Sequence, residues 1–147
     1  MQSFLARADM DGLPLIAEGR SADGLPAGGY YVAPRLYGPV PEHHPLAQHE
    51  VFGPVLALLP FEDEADAIRI ANDTVYGLSG SIWTRDGARA LRVARALETG
   101  NISVNSNSSV RVTTPFGGFK QSGIGRELGP FALEHYTELK NVFISTV

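Results

Sequence analysis

This chain of 147 residues contains four histidines and no cysteine. Histidine is therefore the first side chain to consider for metal binding or catalysis. His43, His44 and His49 lie in a proline-flanked loop, whereas a zinc site typically places two histidines at i and i+4 on a helix beside a carboxylate. We therefore interpret the three as solvated loop residues and predict no metal site. Without cysteine, the chain offers neither a thiol nucleophile nor a disulfide.

Two further stretches contain residue types found in active sites. The serine-rich loop 106–109 has no base beside it, so a serine nucleophile is not expected. In the stretch 115–129, Gly123, Gly125 and Gly129 form G-x-G-x-x-x-G, which differs from the dinucleotide-binding G-x-G-x-x-G. Taken alone, this stretch is either a tightly packed loop whose glycines permit positive φ or a loop that binds a small ligand.

An acid and an aromatic residue stand directly before an apolar segment. Val55–Leu59 is an uninterrupted apolar run, typical of a strand covered on both faces. Glu50 could simply cap a turn, or it could accept two hydrogen bonds from neighbouring ligand hydroxyls. Phe52 could offer its face to a ring. The residues by themselves leave both interpretations open.

Strands and helices alternate through the middle of the chain. The apolar patterns predict, in order, strand Val55–Leu59, helix Glu62–Asn72, strand Ser81–Thr84, a helix capped by Asp86 and ended by Gly100, and strand Asn101–Asn105. This order is typical of two βαβ units on a mostly parallel sheet, so the predicted fold class is α/β.

The flanking regions contain more turn residues. Here we predict two short strands, a short helix and a last strand, at Leu13–Ala17, Tyr30–Tyr37, Arg126–His135 and Glu138–Val147. Pro34 within the second of these strands favours a sheet edge or a bulge.

Charge and hydropathy exclude several classes of function. A formal net charge of −4 without a basic stripe argues against nucleic acid as a partner. No apolar run approaches the ~20 residues that cross a membrane. Arg7, Asp9 and Asp11 stand where a signal peptide would be apolar, so we expect a cytoplasmic protein.

Five segments carry recognisable motifs in a fixed order. They are His49–Val55, Asn72 with Tyr76–Leu78, Thr99–Asn105, Pro115–Gly129 and Tyr136–Lys140. In this order they resemble the NAD(P)-dependent aldehyde dehydrogenase family, and the similarity runs from about Gly12 to Ile144. In that family the motifs belong to the C-terminal part of a much longer chain.

The resemblance implies an oxidoreductase fragment: a partial catalytic domain over residues 1–137 and a C-terminal strand, 138–147, similar to the family's oligomerisation element. The family oxidises an aldehyde to a carboxylate through a cysteine thiohemiacetal, with hydride transfer to NAD or NADP and a glutamate as general base. The cysteine, the glutamate and the nucleotide-binding domain lie upstream of the matched motifs. We therefore assign no catalytic residue and predict that the chain alone is inactive and does not bind the cofactor.

Three residues carry over as binding residues. Glu50 aligns with the acid that contacts the nicotinamide ribose hydroxyls, and Phe52 aligns with the aromatic residue at the nicotinamide ring. Phe116 aligns with an aromatic residue of the substrate tunnel. The loop Ser106–Thr114 corresponds to the segment that shapes aldehyde selectivity.

The resemblance also implies partners. We expect a homo-oligomer formed through the C-terminal strand, whose apolar edge would favour self-association, or a complex with the upstream portion of the enzyme. The alternatives are a non-enzymatic dimerisation or complementation module and, last, a protein that binds a small ligand in the loop Pro115–Gly129.

Overall fold

A computed structural model describes residues 1–26, 28–108 and 110–147. The described α-helices are α1 (Gln2–Met10), α2 (Pro45–Gln48), α3 (Glu64–Asn72) and α4 (Gly87–Ala96). The strands are β1 (Leu15–Glu18), β2 (Arg35–Tyr37), β3 (Val55–Ala57), β4 (Ser79–Ile82) and β5 (Asn101–Val104), and 3-10 helices cover Lys120–Ser122 and Pro130–His135. The chain forms two compact units, residues 1–70 and 71–147.

The first unit is built on a three-stranded sheet of order β1-β2-β3. β1 runs antiparallel to β2, with an irregularity between Leu15 and Ala17, and β3 runs parallel to β2. Its core is a small cluster of buried apolar side chains contributed by α1, β2, α2 and the segment after β2: Leu5, Ala8, Tyr37, Val40 and Leu46.

Tyr37 connects helix α1 to the sheet of the first unit. Its side chain is fully buried, and its hydroxyl donates to Asp9 Oδ1 at 3.0 Å while accepting from Arg35 Nη1 at 3.2 Å. Burial is the main cause that raises the pKa of this hydroxyl. The buried hydroxyl therefore has both partners that a polar group in a core requires.

The second unit contains one parallel pair, β4 and β5, joined by α4. Asp86 caps α4, accepting from the backbone N–H groups of Ala88 and Arg89 at 2.9 and 3.1 Å. Ala90 is the buried residue of the helix, and α4 packs on β4. Strand, helix and parallel strand form a βαβ unit.

The predicted α/β class, the parallel pairing of β4 with β5 and the Asp86 cap are confirmed. The prediction that both βαβ units share one sheet is wrong, because β3 pairs with β2 and lies in a different sheet from β4. β3 is the last strand of its sheet, and Leu56 is 67% exposed, so within this chain it is not covered on both faces.

Three local predictions also need correction. The strand expected over Tyr30–Tyr37 begins only at Arg35, and it lies in the middle of its sheet rather than at an edge. Proline has no N–H for a strand ladder, which fits a strand that starts after Pro34. Gly100 does not end α4, because the helix already terminates at Leu97 in extended geometry.

The two ends of the chain also differ from prediction. Helix α1 occupies a stretch that we expected to be rich in turns, and the predicted helix near Arg126–His135 is a 3-10 helix over Pro130–His135. The segment 138–147 is exposed and has no strand partner in the described chain. Because a strand is defined by pairing, the strand predicted here does not form within the described chain. Its role in oligomerisation stays a prediction. Among the described residues, no helix combines the length and apolar content needed to cross a bilayer.

Candidate functional site

Glu50 and Phe52 lie on the segment that connects α2 to β3 in the first unit. Val51 packs against the core, and the two residues on either side of it are exposed. Phe52 has φ 52° and is 87% exposed. A bulky residue in the left-handed region is strained, and such strain is concentrated at functional sites.

This segment is held firmly on its downstream side. The Val55 N–H donates to the Gly53 carbonyl at 2.8 Å, and the Arg35 N–H donates to the Pro54 carbonyl at 2.9 Å. A Cβ added at Gly53 would collide with the side chain of Met1. The segment therefore passes directly beside the Met1 side chain.

The prediction that the three histidines of the upstream loop are all solvated is wrong for one of them. His43 and His49 are exposed, as expected, but the His44 side chain is only 8% exposed. It caps α2 by accepting from the Leu46 N–H. Within the described residues, no three His, Asp or Glu side chains converge on a point where they could hold a metal ion.

Phe116 lies in the second unit, where it is half-buried. It exchanges two backbone hydrogen bonds with Glu127, both 2.7 Å long, which form an isolated antiparallel bridge. This bridge fixes the direction of the Phe116 side chain within the glycine-rich stretch. Phe116 then lines an open cleft of about 720 Å³ together with Ile124, Arg126, His135 and Tyr136.

Arg126 organises the wall of this cleft. Its Nη1 donates to the carbonyls of Gly118 and Gly125 at 3.0 and 2.6 Å. Its guanidinium carbon lies 5.4 Å from the ring centroid of Phe119, a cation–π distance. Its backbone N–H donates to His135 Nε2 at 3.3 Å, so that nitrogen acts as a structural acceptor.

The glycine-rich stretch packs directly on the start of β5. A Cβ at Gly100 would overlap the Gly117 carbonyl, so only glycine allows this approach. Next to it, the buried Asn101 side chain donates through Nδ2 to the carbonyls of Leu78 and Gly117, at 2.7 and 2.8 Å. These contacts show close packing where the stretch meets β5, and the alternative that the stretch binds a small ligand stays a prediction.

Lys120 anchors the other side of the stretch. Its Nζ donates to the carbonyls of Asn72 and Thr74 at 2.7 and 3.2 Å and forms an ion pair with Glu98 at 2.6 Å. The Asn72 side chain donates to the Ala96 carbonyl and accepts from the Glu98 N–H. These motif residues therefore hold the second unit together.

The groups around the cleft favour binding over chemistry. The Ser122 hydroxyl accepts from the Gly77 N–H at 3.0 Å, and both Arg126 and His135 bond to the chain itself. The cleft thus offers an aromatic and aliphatic wall, with Arg126 and Glu127 as charged residues of its lining. The loop Ser106–Thr114 is exposed where it is described except at Ser106, and Ser109 of that loop lies outside the described residues.

The structure places Glu50 and Phe52 in the first unit and Phe116 in the second. The importance of His44, Asn101 and Arg126 was missed at the level of sequence. Asn101 carried a signal, since a polar residue that starts an apolar strand needs a partner. His44 carried no clear signal, because histidine is not among the usual cap residues and its second partner, Asp11, is distant in the sequence. Arg126 carried none, because no local pattern marks its contacts with the Phe119 ring and His135.

Comparison with known proteins identifies the family. The aldehyde dehydrogenase family model matches residues 1–142. The chain is 42% identical over 144 residues to a betaine aldehyde dehydrogenase from Agrobacterium fabrum, covering 98% of this chain and 29% of the relative.

Solved structures agree with this match. An aldehyde dehydrogenase from Mycobacterium tuberculosis complexed with NAD+ aligns with a TM-score of 0.86 at 40% identity, over 93% of this chain and 28% of that one. The NAD+ complex of an aldehyde dehydrogenase from Bacillus cereus aligns with a TM-score of 0.88 at 34% identity, over 99% and 29%. The chain spans less than a third of the length of these relatives, and it belongs to the aldehyde dehydrogenase family.

Proposed function

We propose that this chain supplies cofactor and substrate contacts to the NAD(P)+-dependent oxidation of an aldehyde to a carboxylate. The observation that carries the proposal is the exposed pair Glu50 and Phe52, held on either side of Val51, which is partly buried against the core, in a member of this family. Two solved relatives that contain NAD+ support a nicotinamide cofactor.

The residue types fit the nicotinamide end of such a cofactor. A carboxylate at Glu50 accepts hydrogen bonds from two neighbouring ribose hydroxyls. The Phe52 ring offers an apolar face to a planar ring and keeps water away from it. The bound cofactor would supply the hydride acceptor, while Glu50 and Phe52 fix its orientation.

Phe116 and its cleft would contact the aldehyde. An aromatic wall stabilises an apolar substrate by burial, and the two short hydrogen bonds to Glu127 hold that wall in place. We assign the choice among aldehydes to the loop Ser106–Thr114, which stands between β5 and Phe116 in the sequence.

The chain corresponds, in this proposal, to the C-terminal part of its longer relatives and is inactive alone. Oxidation by the family's mechanism requires a thiolate, and this sequence contains no cysteine. The catalytic cysteine, the general base and most of the nucleotide site would come from an upstream portion.

A complementation assay tests this function. The full chain is mixed with the upstream portion of the Agrobacterium betaine aldehyde dehydrogenase, and aldehyde-dependent NADH formation is followed. We expect activity only in the mixture, with a KM for NAD+ raised about tenfold or more by Glu50→Gln, a loss typical of a hydrogen bond to a charged group. Glu134→Gln, an exposed carboxylate on a 3-10 helix, is the matched control. Equal KM values for both variants would contradict the role of Glu50.

A second candidate is a non-enzymatic dimerisation or complementation module. Its support is the exposed C-terminal segment 138–147, whose apolar side chains include Leu139, Val142, Phe143 and Ile144. Contiguous exposed apolar residues mark interaction surfaces. Light scattering tests it: Phe143→Asp should shift an oligomer toward monomer, whereas Met10→Asp, an equally exposed apolar residue of α1, should not. A monomer in all three samples would contradict this candidate.

A further inference from the structure

We propose that His44 is a positioning residue for the segment 49–53: it fixes α2 so that Glu50 and Phe52 keep the exposed geometry described above. Only the last step, from geometry to cofactor affinity, rests on the proposed function. The contacts themselves are independent of it.

Helix α2 needs outside support because it has only four residues. A helix of this length cannot offset the cost of its own nucleation. His44 provides the cap, since its Nδ1 accepts from the Leu46 N–H at 3.0 Å. A ring nitrogen that accepts carries no proton, so Nε2 holds the proton of the neutral imidazole.

The second ring nitrogen connects α2 to α1. His44 Nε2 donates to Asp11 Oδ2 at 3.1 Å, and Asp11 is the C-cap residue of α1. A hydrogen bond from Arg7 is the largest cause that lowers the pKa of Asp11, and His44 lowers it further. The partner is thus a carboxylate, which makes the stronger hydrogen bond.

The other end of α2 is also attached. The Gln48 side chain donates to the Glu42 carbonyl at 2.8 Å. The Glu42 carboxylate accepts two hydrogen bonds of 2.7 Å from Arg69 in α3, which lower its pKa. Between these ends, Leu46 is buried in the core.

Residues 50–52 depend on these anchors. In the described chain they belong to no helix or strand, so their position follows from the packing of Val51 on the core and from the segments before and after them. β3 holds the downstream side through its pairing with β2. The upstream side depends on α2, and His44 is the side chain that both caps this helix and joins it to α1.

Four variants separate the two contacts. His44→Ala removes both, whereas Asp11→Ala leaves the cap intact and removes the link to His44 together with the ion pair between Arg7 and Asp11. His44→Asn keeps a capping oxygen but is too short to reach Asp11. His43→Ala is the matched control, because it removes an exposed histidine next in sequence.

Amide hydrogen exchange of the full chain reports on the segment directly. We expect His44→Ala to accelerate exchange over residues 45–53 about tenfold or more, the effect of losing a cap and a charge-assisted hydrogen bond. His44→Asn and Asp11→Ala should show smaller increases, and His43→Ala none. Peptides from β4 and β5 should exchange as in the unaltered chain. Unchanged exchange over 45–53 in His44→Ala would overturn the proposal.

The imidazole nitrogen spectrum of the unaltered chain provides a readout that needs no variant. We expect His44 Nδ1 to give the signal of an unprotonated acceptor nitrogen and Nε2 that of a protonated one. A protonated Nδ1 in the neutral ring would overturn the proposal. Because this measurement uses the unaltered chain, it remains decisive if His44→Ala unfolds the first unit.

The complementation assay separates this proposal from the role of Glu50 and Phe52. With both correct, His44→Ala raises the KM for NAD+ more than it lowers kcat, and His44→Asn restores part of the loss. Faster exchange over 45–53 with an unchanged KM would support the positioning role and contradict the cofactor role.

Discussion

Single side chains of the second unit join segments that are separate in the sequence. Asn101 is the clearest example, because its one amide group donates to two carbonyls from different segments, Leu78 and Gly117. The amide therefore keeps β4 and the glycine-rich stretch against the start of β5, where the Phe116 cleft begins.

Asn101→Ala should lower the free energy of unfolding by about 2 kcal/mol, because a buried side chain loses two hydrogen bonds that contribute roughly 1 kcal/mol each. A urea titration followed by helical circular dichroism measures this difference. Asn107→Ala, an exposed asparagine of the following loop, should leave the midpoint within about 0.5 kcal/mol of the unaltered chain. Equal midpoints for both variants would contradict the structural role of Asn101.

Some of the residues discussed above could be predicted from the sequence, and others could not. Glu50, Phe52 and Phe116 could be selected because a motif marks them, and their roles stay predictions. His44 could not be selected, since its partner Asp11 lies 33 residues away and only the fold brings the two together.

Elements whose signals are local were predicted well from the sequence. Asp86 was recognised as a cap because the N–H groups that it accepts from are only two and three residues away. Gly100 was misassigned as the end of α4, because the reason for glycine there is the Gly117 carbonyl, which is remote in sequence. Strand partners were equally remote, so β3 was placed in the wrong sheet.

The cap of α4 predicts an acid-sensitive helix. The Asp86 carboxylate accepts hydrogen bonds from the backbone N–H groups of Arg89 and Ala88, and these lower its pKa below the usual range. The bond from Arg89 is the largest cause. A carboxyl group whose pKa is lowered by folding stabilises the protein above its unfolded value of about 3.9, and this contribution is lost as the pH falls through the folded value.

Comparing unfolding midpoints of the unaltered chain and Asp86→Asn between neutral pH and about pH 3 measures this contribution. Asparagine keeps a capping oxygen that does not titrate. The stability advantage of the unaltered chain should therefore be present at neutral pH and shrink on acidification. Asp23→Asn, an exposed carboxylate in a turn, is the control. A difference that stays constant with pH would contradict the assignment of the cap.

At the scale of the whole molecule, the chain is an α/β member of the aldehyde dehydrogenase family that spans less than a third of its relatives' length. Each of its two units carries part of the predicted site: Glu50 and Phe52 in the first, Phe116 in the second. The family could be predicted from sequence because its motifs are ordered and specific. The exposed segment 138–147 could not be predicted, because the pairing of a strand depends on what lies beside it.

The most direct test of the account is aldehyde-dependent NADH formation by the purified 147-residue chain alone, with betaine aldehyde and acetaldehyde as substrates and NAD+ or NADP+ as the oxidant. We predict no turnover above the blank, because the sequence contains no cysteine whose thiol could attack the carbonyl. Sustained turnover by the chain alone, abolished by Glu50→Gln, would contradict it and would require a nucleophile other than cysteine.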